Sequence, residues 1–133
     1  MIARRRIAAL DSGALIALSR GDRSAIALLK ALRQEQTLLI IPAPVLAEVL
    51  RGNRADAAIH RILNCYSDEI VPTSAEAAKY AGELLGRAGA SSTMTMDALI
   101  GATALEYKST DLLTADEDDH RRLLGEKLDI IPV

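Results

Sequence analysis

Short uninterrupted apolar runs alternate along the chain with longer stretches in which apolar residues recur every three or four positions. The runs are IAAL (7–10), LLII (38–41), EIV (69–71), DLLT (111–114) and LDIIPV (128–133). Each is bounded by Pro, Gly or polar residues, which predicts a strand. Residues 22–35 place Ile26, Leu29 and Leu32 on one helical face, and residues 54–66 do the same with Ile59, Ile62, Leu63 and Tyr66. A third amphipathic stretch, residues 75–89, ends at Gly89, and further helices are expected over 12–19, 95–104 and 117–125 and around Glu48, beyond Pro42 and Pro44. Strands that are continuous apolar runs, not alternating ones, are buried on both faces. The pattern therefore predicts an α/β fold: a three-layer α/β/α sandwich around a mostly parallel sheet of about five strands.

The chain has 133 residues and no repeat or linker, so a single domain over 1–133 is expected. Half the residues are apolar, yet none is Phe or Trp, so Ala, Leu and Ile must build the core. A net charge of −2 argues against holding nucleic acid on a broad basic surface. Any chemistry on nucleic acid would then need local basic groups or metal ions. Cys65 is alone, which excludes a disulfide framework within the chain, and a buried core thiol is expected. Arg4 to Arg6 followed by an apolar run imitates a secretory leader. Asp11 interrupts that run and it is too short to span a bilayer, so a cytoplasmic protein without membrane association is expected.

In an open parallel sheet, ligands bind beyond the carboxyl ends of the strands, near the point where strand order reverses. Asp11 directly follows the first strand and Asp116 the fourth; Glu48 lies just past the second, and Asp97 near the start of the helix in TMDALIGATA. The topology allows all four to meet at one end of the sheet. Each has a plainer reading. Asp11 and Asp116 are placed to cap the helices that follow, Asp97 to favour a helix dipole, and Glu48 to pair with Arg51 three residues on.

The ordered motifs ALDSGALIAL, VLAEVLRG, TMDALIGATA and LLTADEDD resemble the PIN-domain ribonucleases, and closely the VapC toxins of bacterial toxin-antitoxin pairs, over essentially the whole chain. The resemblance implies that Asp11, Glu48, Asp97 and Asp116 are catalytic and bind metal, that Asp118 is a further metal-binding acid, and that Ser12 and Thr114 orient ligands. It also implies RNA as substrate, cleavage leaving a 5′-phosphate and a 3′-hydroxyl, a VapB-type antitoxin partner and a homodimer. Two positions depart from the family pattern: Asp119 stands where an aromatic residue is common, and Gly101 where Ala is common. Asp119 leaves open whether Asp116, Asp118 or both complete the site. Clustered carboxylates repel one another and burial raises their pKa values, so such a set is tolerable only with cations. Hard oxygen donors select Mg²⁺ or Mn²⁺.

The remaining polar residues are less informative. Arg51, Arg54 and Arg61 are candidates for phosphate contact, although charges at helical spacing usually form a solvated face. His60 and His120 read as surface or helix-end residues, because neither has a second His at metal-binding spacing. Tyr66, Tyr80 and Tyr107 lie on helices and are expected to pack. A phospho-receiver domain would require a Lys after a late strand, which neither DLLTAD nor LDIIPV supplies. A PIN-fold binding module without catalysis is the remaining alternative, and metal-dependent RNA cleavage separates the two.

Overall fold

The computed structural model describes residues 5–66 and 68–133, so the reading of Arg4 lies outside the described residues. Five strands, β1 (Ile7–Leu10), β2 (Leu38–Pro42), β3 (Glu69–Val71), β4 (Asp111–Thr114) and β5 (Asp129–Pro132), form one sheet in the order β3-β2-β1-β4-β5. Every neighbouring pair is parallel. The chain moves outward from β1 through β2 to β3, then returns to the other side of β1 to place β4 and β5. The reversal falls between β1 and β4, whose register sets Leu10 beside Leu113.

Burial follows the runs. Ala8, Ala9 and Leu10 of β1 and Leu112 and Leu113 of β4 are almost wholly buried, because the central strands are covered on both faces. The edge strand β3 exposes Glu69 and Ile70 and buries only Val71.

Seven α-helices lie among the described residues. Helix α1 (Ser12–Ser19) touches both α2 (Arg23–Gln34) and α4 (Asp56–Tyr66), while α5 (Ala75–Ala88), α6 (Thr95–Glu106) and α7 (Glu117–Leu124) pack on one another. These two groups are the outer layers of the α/β/α sandwich. The short α3 (Pro44–Val49) touches α1 and α6. The amphipathic stripes read from sequence face inward: Leu29 and Leu32 of α2 and Ile59 of α4 are buried. Gly89 ends α5 in the left-handed conformation at φ 60°, which glycine adopts at no steric cost.

Helix α6, like α1, has no polar face. Ala98, Ile100, Gly101, Ala102, Thr103 and Ala104 are all buried. A Cβ on Gly101 would lie 2.8 Å from a methyl of Leu124, so the glycine lets α7 approach α6 closely. Among the described residues no helix is long and apolar enough to cross a membrane.

One expectation is corrected. Cys65 is exposed, because it lies off the stripe of Ile59, Ile62, Leu63 and Tyr66 that turns α4 inward. Arg6 makes a bidentate pair with the fully buried Asp111 at the amino end of β4, at 2.5 and 2.8 Å.

Candidate metal centre

The carboxyl ends of β1 and β4 meet where Asp11 leaves the sheet. Its backbone N–H donates to the carbonyl of Leu113 at 3.0 Å, and the chain then turns directly into α1. The Asp11 side chain caps that helix, its Oδ1 accepting from the Ala14 N–H at 3.1 Å. Its Oδ2 accepts from the Thr114 hydroxyl and faces His120 Nε2 at 3.2 Å. Capping and a place in the site are therefore compatible for this residue, one oxygen serving each.

Asp116 occupies the residue before α7, but its side chain makes no capping bond. Its own N–H donates to Thr114 Oγ1 at 2.9 Å, so Thr114 links the two loops. Asp97 is the third residue of α6, preceded by a single 3-10 turn at Ser92–Met94, and is half-buried.

Glu48 is also half-buried and accepts from the Ser12 hydroxyl at 3.0 Å. The expected pairing with Arg51 is absent. That guanidinium donates instead to the carbonyls of Ala47 and Leu50, at 3.0 and 2.9 Å, and closes the end of α3. Asp56, which sequence reasoning passed over, accepts from the Arg51 and Gly52 amides and folds the following loop back. Arg54 and Arg61 are exposed.

One oxygen from each of Asp97, Asp116 and Asp119 lies within 4.8 Å of the others. Asp118 is exposed and outside this group. The reason is helical geometry: residues three apart share a face and residues two apart do not. Asp116 therefore meets Asp119, and Asp118 turns to solvent. The ring expected at position 119 is found one residue later, in His120.

His120 is the main residue that sequence reasoning misjudged. It is wholly buried, not at the surface, with Nε2 3.2 Å from Asp11 Oδ2 and 3.7 Å from Asp97 Oδ1. A signal was available, since His120 precedes Leu123 and Leu124 by three and four positions and so sits on the buried stripe of α7. His60 is exposed, as expected, and Tyr66, Tyr80 and Tyr107 pack against the core.

The electrostatics agree with convergence. Burial raises the pKa of Asp97, and the charges of Asp116, Glu48 and Asp119 add to that rise while His120 opposes it. Desolvation likewise raises Asp116, followed by its hydrogen bond and charge interaction with Asp119. Burial alone would lower the pKa of His120. The hydrogen bond to Asp11 and the charges of Asp11, Asp97 and Asp116 outweigh it, so the imidazole is raised above its ordinary value. Each of these shifts favours the less negative form of the cluster, which is the response of a site that lacks positive charge. The donor set, carboxylate oxygens from separate elements, suits a hard divalent cation.

Close approach of the two loops depends on Gly13. A Cβ there would lie 2.6 Å from the Cβ of Ala115 and 3.1 Å from its backbone nitrogen, neither of which can swing away. Gly13→Ala is expected to lower Tm by about 5 °C in a thermal melt, the overpacking cost of about 1 to 3 kcal/mol exceeding the helix-propensity gain of up to about 1 kcal/mol. An unchanged Tm would show that the loops are not held this tightly.

The fold has counterparts among solved structures. VapBC2 from Rickettsia felis, solved bound to a DNA fragment from its promoter, matches with a TM-score of 0.77 and 20% identity over 96% of this chain and 98% of that one. A toxin-antitoxin complex from Klebsiella pneumoniae matches with a TM-score of 0.67 and 26% identity over 84% and 88%. Mycobacterium tuberculosis VapC20, described as a sarcin-ricin loop cleaving toxin, matches with a TM-score of 0.58 and 17% identity over 82% and 91%. No curated protein matches the sequence. The PIN domain profile matches residues 8–124, the stretch that carries β2, β3, β4, β1 from Ala8 on and every acid of the cluster, and the chain belongs to the PIN-domain family.

Proposed function

We propose that this protein is a divalent-metal-dependent endoribonuclease that serves as the toxin of a toxin-antitoxin pair. One observation carries the reading: acids far apart in sequence, Asp11, Glu48, Asp97, Asp116 and Asp119, are folded onto the carboxyl edge of β1 and β4, with three of their carboxylates close enough to share a cation. Asp97, Asp116 and Asp119 would hold Mg²⁺ or Mn²⁺, with Asp11 and Glu48 completing the acidic wall. Bound there, the metal would supply an activated water and charge stabilisation at phosphorus. The chain's own groups set the site around it. Thr114 and Ala14 fix the Asp11 carboxylate, and Ser12 holds Glu48.

Incubation of the purified protein with a panel of structured RNAs, in Mg²⁺, Mn²⁺ or chelator, tests the activity. Cleavage in metal and none in chelator is expected, and no metal-dependent cleavage of any RNA would favour the binding-module reading. The named toxin-antitoxin complexes among the similar structures support the partner assignment. Sedimentation is expected to give a homodimer, and the product of an adjacent reading frame is expected to bind the protein and suppress cleavage. A monomer that no such product inhibits would overturn the toxin assignment.

A further inference from the structure

The packing of α7 leaves one feature that neither the core nor the acid cluster explains. His120 fills a position where an apolar ring would serve packing alone, and its Nδ1 is buried with no hydrogen-bond partner among the described residues. An unsatisfied buried polar atom is costly, on the order of 1 to 3 kcal/mol. The nitrogen that is partnered, Nε2, lies between two carboxylates. Three donors then converge on Asp11: the Ala14 amide on Oδ1, and the Thr114 hydroxyl and His120 Nε2 on Oδ2. One donor leaves a carboxylate free to turn about its Cβ–Cγ bond, whereas donors on both oxygens hold its plane.

We infer that His120 is a positioning residue, whose Nε2–H fixes the Asp11 carboxylate as part of the acidic wall around the cation held by Asp97, Asp116 and Asp119, and that it is not itself a metal ligand. The inference rests on the reading of the acid cluster as a metal centre. Two observations separate it from ligation. A metal-binding imidazole normally donates its other ring N–H to an acceptor, and Nδ1 has none. The nitrogen that points into the cluster, Nε2, is already engaged by Asp11 Oδ2 at 3.2 Å, while the oxygens that converge closely come from Asp97, Asp116 and Asp119.

The test measures binding, not turnover. Mn²⁺ and Mg²⁺ affinities of the wild type, His120→Phe and His120→Gln are determined by calorimetry, with thermal melts to confirm folding. Phe keeps the ring volume without a donor, and Gln places an N–H near the position of Nε2. His120→Phe is expected to weaken both metals by ~10-fold or more, the usual size of an outer-sphere effect. His120→Gln is expected to lose clearly less than the ~10-fold of His120→Phe, because it returns a donor to Asp11. Long-range ¹H–¹⁵N spectra of the wild type with Mg²⁺ provide a check that needs no variant, and the Nε2 proton should persist in the metal-bound protein. Wild-type affinity in His120→Phe would overturn the inference, as would loss of the Nε2 proton on metal binding or a loss confined to Mn²⁺, both of which mark a direct nitrogen ligand. A wild type that takes up neither metal would instead defeat the metal reading of the cluster itself.

Discussion

Asp97→Asn should leave the protein folded and reduce metal-dependent RNA cleavage by about a thousandfold or more. The size follows from what a metal supplies to phosphodiester hydrolysis, several kcal/mol of charge stabilisation at about 1.4 kcal/mol per tenfold in rate. Asp97 is the acid best suited to show it, because it is held by α6, the most buried helix of the fold, and has no capping or loop-closing role to confuse the result. The same substitution at Asp118, which is exposed and apart from the cluster, should change the rate by less than about threefold, as surface charges away from a site usually do. Asp119→Asn should resemble Asp97→Asn in direction. Equal losses at Asp118 and Asp119 in a single-turnover assay would mean that α7 turns differently in the active protein. Unchanged cleavage in Asp97→Asn would remove the site from this end of the sheet.

The contrast between Asp118 and Asp119 shows how far the sequence could be read. Central strands announce themselves, because a strand buried on both faces must be apolar at every position, as Ala8, Ala9 and Leu10 are. Helix ends were legible where a residue has a conformational reason to be there, as at Gly89. Acids following strands could be assigned to the carboxyl edge of a parallel sheet by topology alone, and Asp11 and Asp116 lie there. Within α7 that logic stops. The run EDDHRR is polar throughout, so which acid turns inward depends on helix phase, and one residue of error rotates a side chain by about 100°. The phase was recoverable only from Leu123 and Leu124 at its far end, the same residues that would have marked His120 as buried. Glu48 could be placed past the second strand, but the length of its helix could not be read: α3 ends at Val49 and only Val45 is buried, so the carboxylate comes from a short half-exposed turn.

Stability without metal tests the cluster independently of any RNA. The metal-free wild type should melt lower than Asp97→Asn at neutral pH and low salt. The sign follows from the raised pKa of Asp97. A carboxyl whose pKa is higher in the fold than in the unfolded chain, where it lies near 3.8, incurs no penalty below that value. Its destabilisation grows as pH rises through the folded value and is fully present above it. Asparagine cannot ionise and escapes this penalty. An opposing effect exists, since Asp97 lies in the first turn of α6, where a negative charge gains about 0.3 to 1 kcal/mol from the helix dipole. If the dipole were the whole account, Asp97→Asn would melt slightly lower and metal would make no difference. With the cluster as described, saturating Mg²⁺ or Mn²⁺ reverses the order. A cation at about 100 times its Kd adds about 2.7 kcal/mol to the folded wild type, which is roughly 10 °C for a domain of this size. Asp97→Asn should gain only a small part of that. High salt should narrow the metal-free difference without abolishing it, because the half-buried site is only partly screened. Melts of the two proteins with and without Mn²⁺ are decisive, and a destabilised Asp97→Asn protein in a series indifferent to Mn²⁺ would leave the cluster as no more than helix-terminal acids.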